Sequence, residues 1–501
     1  MMPALIGAAA ALCALPWCRA AEPADGAAPV VGVASAPATD AAGRATTTPA
    51  VNMASRAPIV DMESAAAMSD LSPRKKPEDR VQEAAAIPAA KDAKGFIGDS
   101  HLNLALRNYA EYLEVEPGPN RHAWVQSLRA NFESGYTAGE VGYGIDLAPY
   151  AAVKLDGGNG TRNMVYVGPN GTGADTKMWA YLGGYALKAR MDDVVIKYGL
   201  QSIVNPFLAP YDIRALPPSF RGVTIAANPS PTLALTAGSI DSMIVRGADY
   251  RQPLTTAYGG INFGRLDYAG ADWQYSSQGK LSLYMDRARD VWNQYYGALA
   301  HSIDGWGGIK WTGNANLYVT RDEGGRLEGS IRNQAYSVSL IASAGASSVM
   351  VGYQRVVGDQ FFDFLQETSG IYLSNSMGTD YNAPHEQSLQ LHYKLDGAAL
   401  RMPGFQGTVW GISGWGANGA SGAAKYVDPA DPLYARYWKN GSPISGTHQE
   451  LGAKLTYTLQ QIELKGTRVA LLLIAHNISP LYPSKRFRDL RITVDVPVHL
   501  F

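Results

Sequence analysis

The segment Arg491–Phe501, "RITVDVPVHLF", has two chemically different faces when alternate residues are compared. One set is aliphatic and the other is polar apart from a proline; the sets are Ile492, Val494, Val496, Val498 and Leu500, and Thr493, Asp495, Pro497 and His499. A two-residue period indicates a β-strand with one face against an apolar medium. We expect this strand to close the fold, with a gap in hydrogen bonding at Pro497, which has no N–H to donate.

The same alternation recurs in the region that precedes this segment. It is clearest in "HLNLALRNY" (101–109), "VGYGIDLAPYAAVKLD" (141–156), "SLQLHYKLD" (388–396) and "ELGAKLTYTL" (450–459). Strands of about ten residues exceed most globular strands and match the length that a tilted strand needs to cross a bilayer. Their polar faces mix Lys, Arg and Asp with Gly and Ala, which suits a water-filled lumen. A soluble β-sandwich, whose strands also alternate, is the less favoured alternative.

The sequence therefore predicts an all-β fold, a transmembrane antiparallel β-barrel with long loops that fold inward. At roughly ten residues per strand plus connections, residues 95–501 would form about 16 to 20 strands, and we predict about eighteen. The longest connections are expected at Gln201–Gly222, Gly358–Gln387 and Lys425–His448, where they would narrow the pore. Aromatic residues near strand ends are expected to form girdles at the membrane interfaces; they are Tyr109, Tyr112, Trp124, Trp179, Tyr181 and Tyr457.

Two segments before the barrel differ from it in composition. Residues 1–20 hold an apolar run followed by small residues, which predicts a signal peptide cleaved after Ala20, although no Lys or Arg precedes the run. Residues 21–94 are rich in Ala, Pro, Thr and Ser and are expected to be disordered. The barrel is expected to occupy residues 95–501.

Composition restricts the partners and the chemistry. The chain has 43 Lys plus Arg and 44 Asp plus Glu, and this balance gives no electrostatic reason to expect nucleic-acid binding. Both cysteines, Cys13 and Cys18, fall in the signal segment, so the mature chain would have no disulfide. The sequence contains no G-x-S-x-G, Walker A or HExxH motif, and we predict a protein that is not an enzyme and uses no cofactor or metal.

Several motifs occur in the order found in one family of channels. They are "GFIGDSHLNLALRNY" (95–109), "GYTAGEVGYGIDLAPYAAVKLDG" (135–157), "DVWNQYYGALAHSI" (290–303), "VGYQRVVGDQFFDF" (351–364) and the final segment. Together they resemble the OprD family, the substrate-selective outer-membrane porins of Gram-negative bacteria. The resemblance implies a passive channel of eighteen strands whose inward loops narrow the lumen. It also implies a ladder of basic side chains that guides carboxylate-bearing amino acids, peptides or organic acids.

The resemblance further implies a multi-pass protein of the bacterial outer membrane. Its expected partners are outer-membrane lipid and lipopolysaccharide, the outer-membrane assembly machinery during biogenesis, and small-molecule solutes. Its expected assembly is a monomer or a weak trimer.

Strand parity decides which basic residues can reach the lumen. Those on polar faces are Arg107, Arg129, Lys154, Lys188, Arg190, Lys197, Lys394 and Lys454. Lys and Arg spaced along a narrow wall would give a carboxylate successive weak sites, so that the solute binds but can leave. The alternative for each residue is a structural charge paired with a neighbouring Asp or Glu.

Three further candidates fit the pattern less well. Arg221 shares parity with Val223, which should face lipid. It can reach the pore only if it belongs to the incoming loop or if Gly222 disturbs the strand. Asp359 and Asp363 are candidates for an acidic patch at the constriction, and the alternative is that they stabilise a turn.

One strand departs from the family pattern. Family members often carry two alternating arginines in the penultimate strand, and those positions are Ala470 and Leu472 in "RVALLLIAHNIS" (468–479). With fewer basic residues on this wall, the channel could also pass less charged solutes. A channel for neutral or oligosaccharide solutes is therefore the alternative function. An outer-membrane adhesin or enzyme is less favoured.

Overall fold

The computed structural model describes a closed antiparallel sheet. The described residues are 95–157, 176–208, 210, 212–367, 372–461 and 465–501. The predicted signal peptide and the low-complexity segment lie outside these residues.

Eighteen long strands make up the barrel wall. They are β1 (His101–Glu116), β2 (Arg121–Glu133), β3 (Val141–Lys154), β4 (Met178–Met191), β5 (Val194–Gln201), β6 (Ser219–Ser230), β7 (Leu233–Ile244), β10 (Leu266–Ser276), β11 (Gly279–Ala288), β12 (Trp292–Asp304), β13 (Lys310–Asp322), β14 (Arg332–Ala344), β15 (Ser347–Val357), β16 (Gln387–Asp396), β17 (Phe405–Asn418), β20 (Ser445–Thr458), β21 (Arg468–Ile478) and β22 (Arg486–His499).

Short elements lie in the connections between these strands. Two small hairpins are formed by β8 (Leu254–Thr255) with β9 (Asn262–Phe263), and by β18 (Trp438–Lys439) with β19 (Ser442–Pro443). The helices are α1 (Gly95–Gly98), α2 (Ala420–Lys425) and α3 (Tyr434–Tyr437), with single 3-10 turns at Trp306–Gly308 and Gly397–Leu400. In the described ranges, no helix has the length and apolar character that a membrane crossing requires.

The barrel closes where its first strand meets its last. β1 pairs with β2 on one side and with β22 on the other. The ladder continues to the final residue, because the Leu102 N–H donates to the Phe501 carbonyl (3.1 Å) and the Leu500 N–H donates to the Leu102 carbonyl (3.0 Å). Closure leaves no strand edge exposed, which the interior of a bilayer requires. The predicted eighteen-stranded barrel is confirmed.

The two-residue period explains which side chains line the lumen. Leu187, Leu391 and Leu451 lie on outward positions and are 66%, 60% and 67% exposed, as lipid-facing residues of a barrel should be. The alternate positions carry buried or half-buried polar side chains such as Lys188 and Gln390. The polar faces of the strands therefore form the inner wall.

The connections differ in length at the two ends of the barrel. At the end where β1 begins, connections such as 192–193 and 231–232 are tight turns. At the other end the chain makes long excursions, namely 202–218, 245–265, 358–386 and 419–444. Outer-membrane barrels have short periplasmic turns and longer extracellular loops, so the long connections lie on the extracellular side.

The aromatic girdle is only partly as predicted. Tyr112, Trp124 and Tyr457 lie on the outer face, where they are half exposed. The prediction was wrong for Tyr109, Trp179 and Tyr181, because these three side chains belong to a buried cluster inside the barrel. Parity is the reason: Tyr109 lies two residues from the inward-facing Arg107 and therefore points the same way.

Candidate functional site

A cavity in the lumen has a volume of about 1280 Å³ and lies in its periplasmic half. Its wall comes from the turn-side parts of the strands, and its lining reaches His101 and Lys310 at the periplasmic end. Its roof comes from two long connections, which contribute Asn205 and Pro206 from one and Tyr372, Ser374 and Met377 from the other. The inward loops therefore bound this cavity on its extracellular side.

A basic cluster lines the cavity on β4 and β5. Lys188 and Lys197 both form ion pairs with Asp146, at 2.6 and 2.7 Å. The Arg190 guanidinium lies 4.7 Å from the ring centroid of Tyr136, which is within cation–π distance. Two ammonium groups share one carboxylate here, so the group retains a surplus positive charge next to the cavity.

A second basic cluster lies further toward the extracellular side, at the level of the roof. Arg107 binds Asp495 of the last strand and Asp212 of the 202–218 connection, both at 2.6 Å. Arg129 binds the other oxygen of Asp212 at 2.8 Å. Arg107 also donates to the backbone carbonyl of Arg214 (2.8 Å). The two wall arginines therefore hold the incoming loop against β1 and β2.

Asp212 is the charged centre of this second cluster. Burial alone would raise the pKa of its carboxyl, but the attraction of Arg107 and Arg129 outweighs burial and lowers the pKa to about 2. A depressed pKa stabilises the folded state above the ordinary carboxyl pKa of about 4, and this contribution is lost as the pH falls through 2. Asp212 is therefore ionised at every pH at which the outer membrane normally works.

Asp212→Asn is expected to shift the channel toward anions. The neutral amide leaves Arg129 without its ion-pair partner and adds one unit of positive charge beside the roof. The reversal potential in a potassium chloride gradient measures this, and the shift should be constant from about pH 4 to 8 because Asp212 does not titrate there. Asp267→Asn, which removes a carboxylate from the outer face of β10, is the control. An unchanged reversal potential in Asp212→Asn would contradict the expectation.

The other three basic candidates also lie on inward positions. Lys154 and Lys394 are buried and Lys454 is half-buried. Lys394 and Lys454 both lie opposite Thr408 in register, so they share one row across β16, β17 and β20. The next position of that row is Leu472, on the strand whose inward face has become apolar.

Arg221 lies on the outer side of the wall. Its guanidinium donates to the hydroxyl of Tyr198 (3.4 Å), an outward-facing residue that is 48% exposed. It also lies 3.6 Å from Asp241. The register between β6 and β7 shifts between Arg221 and Gly222, but this irregularity does not turn the side chain into the cavity.

The two acidic candidates lie in the 358–386 connection and outside the cavity lining. Asp359 is half exposed and bonds His385 (2.9 Å). Asp363 is buried, and it accepts the backbone N–H groups of Tyr258 (2.9 Å) and Gly259 (2.8 Å) from the neighbouring 245–265 connection. Asp363 thus joins two extracellular loops.

Sequence reasoning missed the residues that seat the 358–386 connection on the wall. Inward polar side chains of three strands accept its backbone N–H groups: Ser337 accepts from Ser374 (2.9 Å), Gln354 from Asn375 (3.1 Å) and Glu450 from Gly378 (2.8 Å). Ser388 accepts from the Asn375 amide (2.9 Å). The available signal was their inward parity, since neutral polar residues on a lumenal face can bind a loop as well as a solute.

One tyrosine connects the two roof loops. The Tyr318 hydroxyl on β13 donates to the Pro206 carbonyl (3.0 Å) and accepts the N–H of Tyr372 (3.2 Å). Its ring packs against Tyr296 and Phe362 at centroid distances of 4.6 and 4.8 Å. The roof is therefore a packed structure that is tied to the wall at several points.

Comparison with known proteins agrees with this architecture. Residues 94–500 match the family described as "outer membrane porin, OprD family". Porin D of Pseudomonas aeruginosa is 28% identical over 430 residues, which cover 83% of this chain and 94% of that protein.

Two solved structures from Pseudomonas aeruginosa have the same fold. OccD3 (OpdP) superposes with a TM-score of 0.71 at 29% identity, covering 82% of this chain and 94% of that one. OpdK, solved with vanillate, superposes with a TM-score of 0.70 at 27% identity, covering 81% of this chain and 100% of that one. The relatives are channels, and a closed barrel of this kind is located in the outer membrane of Gram-negative bacteria. This chain belongs to the OprD family of outer-membrane porins.

Proposed function

We propose that this porin selects small solutes that bear a carboxylate, such as organic acids and amino acids. The observation that carries the proposal is the surplus of positive charge at two levels of one wall. Lys188 and Lys197 share Asp146, and at the second level Arg107, Arg129 and Arg468 share Asp212 and Asp495. At each level the paired bases outnumber the carboxylates by one, so each level is net positive.

Such an arrangement gives a carboxylate two successive sites of moderate strength. A solute that enters the constriction loses part of its hydration, and guanidinium and ammonium groups replace the lost hydrogen bonds. Because each base is already bonded to an acid, the solute competes for it and is released readily. The vanillate in the OpdK structure carries a carboxylate, which supports the same solute class for this chain.

A second candidate function is passage of neutral sugars. It is favoured by another part of the cavity wall, where Tyr296 donates to Asn316 (2.9 Å) and Tyr284 donates to Asp272 (2.9 Å). Aromatic faces beside amide and carboxylate groups suit polyhydroxylated rings. The missing arginines at Ala470 and Leu472 favour the same candidate.

Neutralising the cavity cluster tests the two functions against each other. Lys188→Met combined with Arg190→Met is expected to lower gluconate entry into proteoliposomes about tenfold. Each of the two positive charges removed contributes about 0.7 kcal/mol to attracting a carboxylate about 6 Å away in water, which is roughly 1.4 kcal/mol together. Glucose entry should change less than about twofold, because the sugar has nearly the same size and no charge. Swelling rates of the same liposome preparation give both values.

Arg221→Met is the matched control, because it removes a base from the outer side of the wall. It should leave both swelling rates unchanged. Equal losses for gluconate and glucose in the double variant would reject charge selection at this cluster and favour the neutral-solute function.

A further inference from the structure

An ordered row of polar side chains crosses the outer face of the barrel at the extracellular ends of four strands. In register, Arg287 of β11 is opposite Asn293 of β12, Asn293 is opposite Arg321 of β13, and Arg321 is opposite Arg332 of β14. Directly opposed side chains on a sheet have Cβ atoms about 4.5–5.5 Å apart. The row is therefore continuous, and two of its arginines are immediate neighbours.

The row marks the upper limit of the lipid-facing band. Two residues closer to the periplasm, the outward positions in the same register are Met285, Tyr295, Val319 and Gln334. The next outward positions include Leu283 and Leu317, which are 55% and 42% exposed. An arginine at this boundary lies at the level of the headgroups of the outer leaflet, where its insertion cost is about 0–1 kcal/mol.

In the part of the chain that the structure describes, the two neighbouring arginines lack an acidic partner. Within the described ranges neither Arg321 nor Arg332 forms an ion pair, and Arg321 donates to the backbone carbonyl of Thr320 (2.8 Å). Like charges in directly opposed positions of a sheet destabilise it. An anion bound between the two guanidinium groups would attract both of them and so offset their mutual repulsion.

The acids around the row are occupied by other groups. Glu323 binds Arg287 and accepts the Asp290 N–H (2.6 Å). Asp322 binds Arg326 (2.6 Å), and Asp267, which is opposite Arg287 in register, accepts from Ser239 (2.5 Å). The surplus positive charge is therefore concentrated at Arg321 and Arg332.

Outward arginines elsewhere on the same end of the barrel are arranged differently. Arg486 and Arg488 of β22 lie 3.4 and 3.7 Å from Glu116 and Glu114 of the adjacent β1. Both of these surface arginines thus have an acidic partner on the neighbouring strand. The contrast identifies Arg321 and Arg332 as a pair suited to an external anion.

We propose that Arg321 and Arg332 bind a phosphate group of a lipopolysaccharide molecule in the outer leaflet. Guanidinium groups bind phosphate through paired hydrogen bonds, and two opposed arginines can converge on one phosphate monoester. The apolar positions below the row would contact the acyl chains of the same molecule. This site is on the outside of the barrel and is independent of solute passage through the lumen.

Binding of bisphosphorylated lipid A to the purified full chain in detergent tests the site. Native mass spectrometry over a range of lipid concentrations gives the apparent affinity. Arg321→Gln combined with Arg332→Gln is expected to weaken binding about tenfold or more, because each lost charge-assisted hydrogen bond is among the stronger ones in proteins. Arg486→Gln combined with Arg488→Gln is the matched control and should bind as the unmodified chain does.

Two further probes separate lipid from free anion. Dephosphorylated lipid A should bind as weakly to the unmodified chain as lipid A binds to the double variant. Inorganic phosphate at millimolar concentration should not displace lipid A; displacement would show a general anion site and overturn the lipid assignment. Equal lipid A binding by the unmodified chain and the double variant would also overturn the proposal. Heat-modifiable gel mobility verifies that each variant is folded, and the single substitutions serve if the double variant is not.

Discussion

Arg436→Met is expected to loosen the extracellular connections and leave the barrel intact. Arg436 lies in α3 of the 419–444 connection, where its two terminal nitrogens bind Glu328 (2.9 Å) and Asp363 (3.1 Å). Asp363 in turn accepts two N–H groups from the 245–265 connection. All three charged side chains are at most 5% exposed. Removing the guanidinium leaves the buried Glu328 and Asp363 carboxyl groups without their shared counter-charge, which costs about 3–5 kcal/mol where they are ionised.

The effect should depend on pH. Burial, and next the nearby Glu328 carboxylate, raise the pKa of Asp363 to about 8, against the opposing effect of Arg436. A carboxyl group whose pKa is raised on folding stabilises the folded state below its ordinary pKa of about 4, and this contribution is lost as the pH rises through 8. The loops should therefore be most stable under acidic conditions. Arg436→Met should increase their loss of stability at alkaline pH, because it removes the attraction between the guanidinium and the ionised carboxylates.

Limited proteolysis of the loops at pH 5, 7 and 9 measures this, with heat-modifiable mobility as the check on the barrel. Arg326→Met is the control, because Arg326 is 63% exposed in its pair with Asp322 and such pairs contribute little. Combining Arg436→Met with Glu328→Gln and Asp363→Asn removes the charges together and should recover most of the protection. If the loops of Arg436→Met resisted proteolysis at pH 9 as well as those of the unmodified chain do, Arg436 would not be what holds these connections together.

Glu450→Ala is expected to detach the 358–386 connection from the wall and to raise single-channel conductance. The Glu450 carboxylate is buried and accepts from three donors: the Gly378 N–H (2.8 Å), the Thr379 hydroxyl (2.8 Å) and the Trp410 indole (2.5 Å). A buried donor left without an acceptor costs about 1–3 kcal/mol, so the loss of all three exceeds what a few loop contacts can offset. A loop released from β20 no longer narrows the lumen.

Planar-bilayer recordings measure the conductance, and swelling of liposomes in a large oligosaccharide measures the effective width. Glu450→Gln is the matched control: its amide oxygen can still accept from Gly378 and Trp410, and its amide nitrogen can donate to the Thr379 hydroxyl. It should change the conductance much less than Glu450→Ala does. A conductance of Glu450→Ala equal to that of the unmodified chain would show that other contacts, such as Gln354 with Asn375, are sufficient to hold the loop.

Much of the wall could be predicted from the sequence. Alternation in "HLNLALRNY" and "RITVDVPVHLF" predicted two strands that the structure pairs with each other to close the barrel. Parity also placed Lys188 and Lys197 on one face of their strands, and both line the cavity. The same rule applied to Tyr109 would have corrected the girdle prediction, because its parity is that of Arg107.

The roof was much less predictable. Asp212 is 105 residues from Arg107 in the chain and lies in a connection without a regular period, so no local pattern indicates that the two are in contact. Asp363 was chosen for its charge, but the position of its carboxylate is set by contacts with Arg436 and with the 245–265 connection. The side chains of Ser337 and Gln354 accept backbone N–H groups of the loop, but in the sequence these two residues look like any other lumenal polar residues.

By itself, the sequence determined the strands, their number and the face that each side chain occupies. This is possible because a two-residue period is a local property of extended backbone, and a lipid exterior with a wet interior imposes it on every strand. Only the tertiary structure decided which charges are shared, where the loops cross the lumen and which outward arginines lie side by side. Those features depend on register and on long-range contacts, which no single stretch of sequence contains.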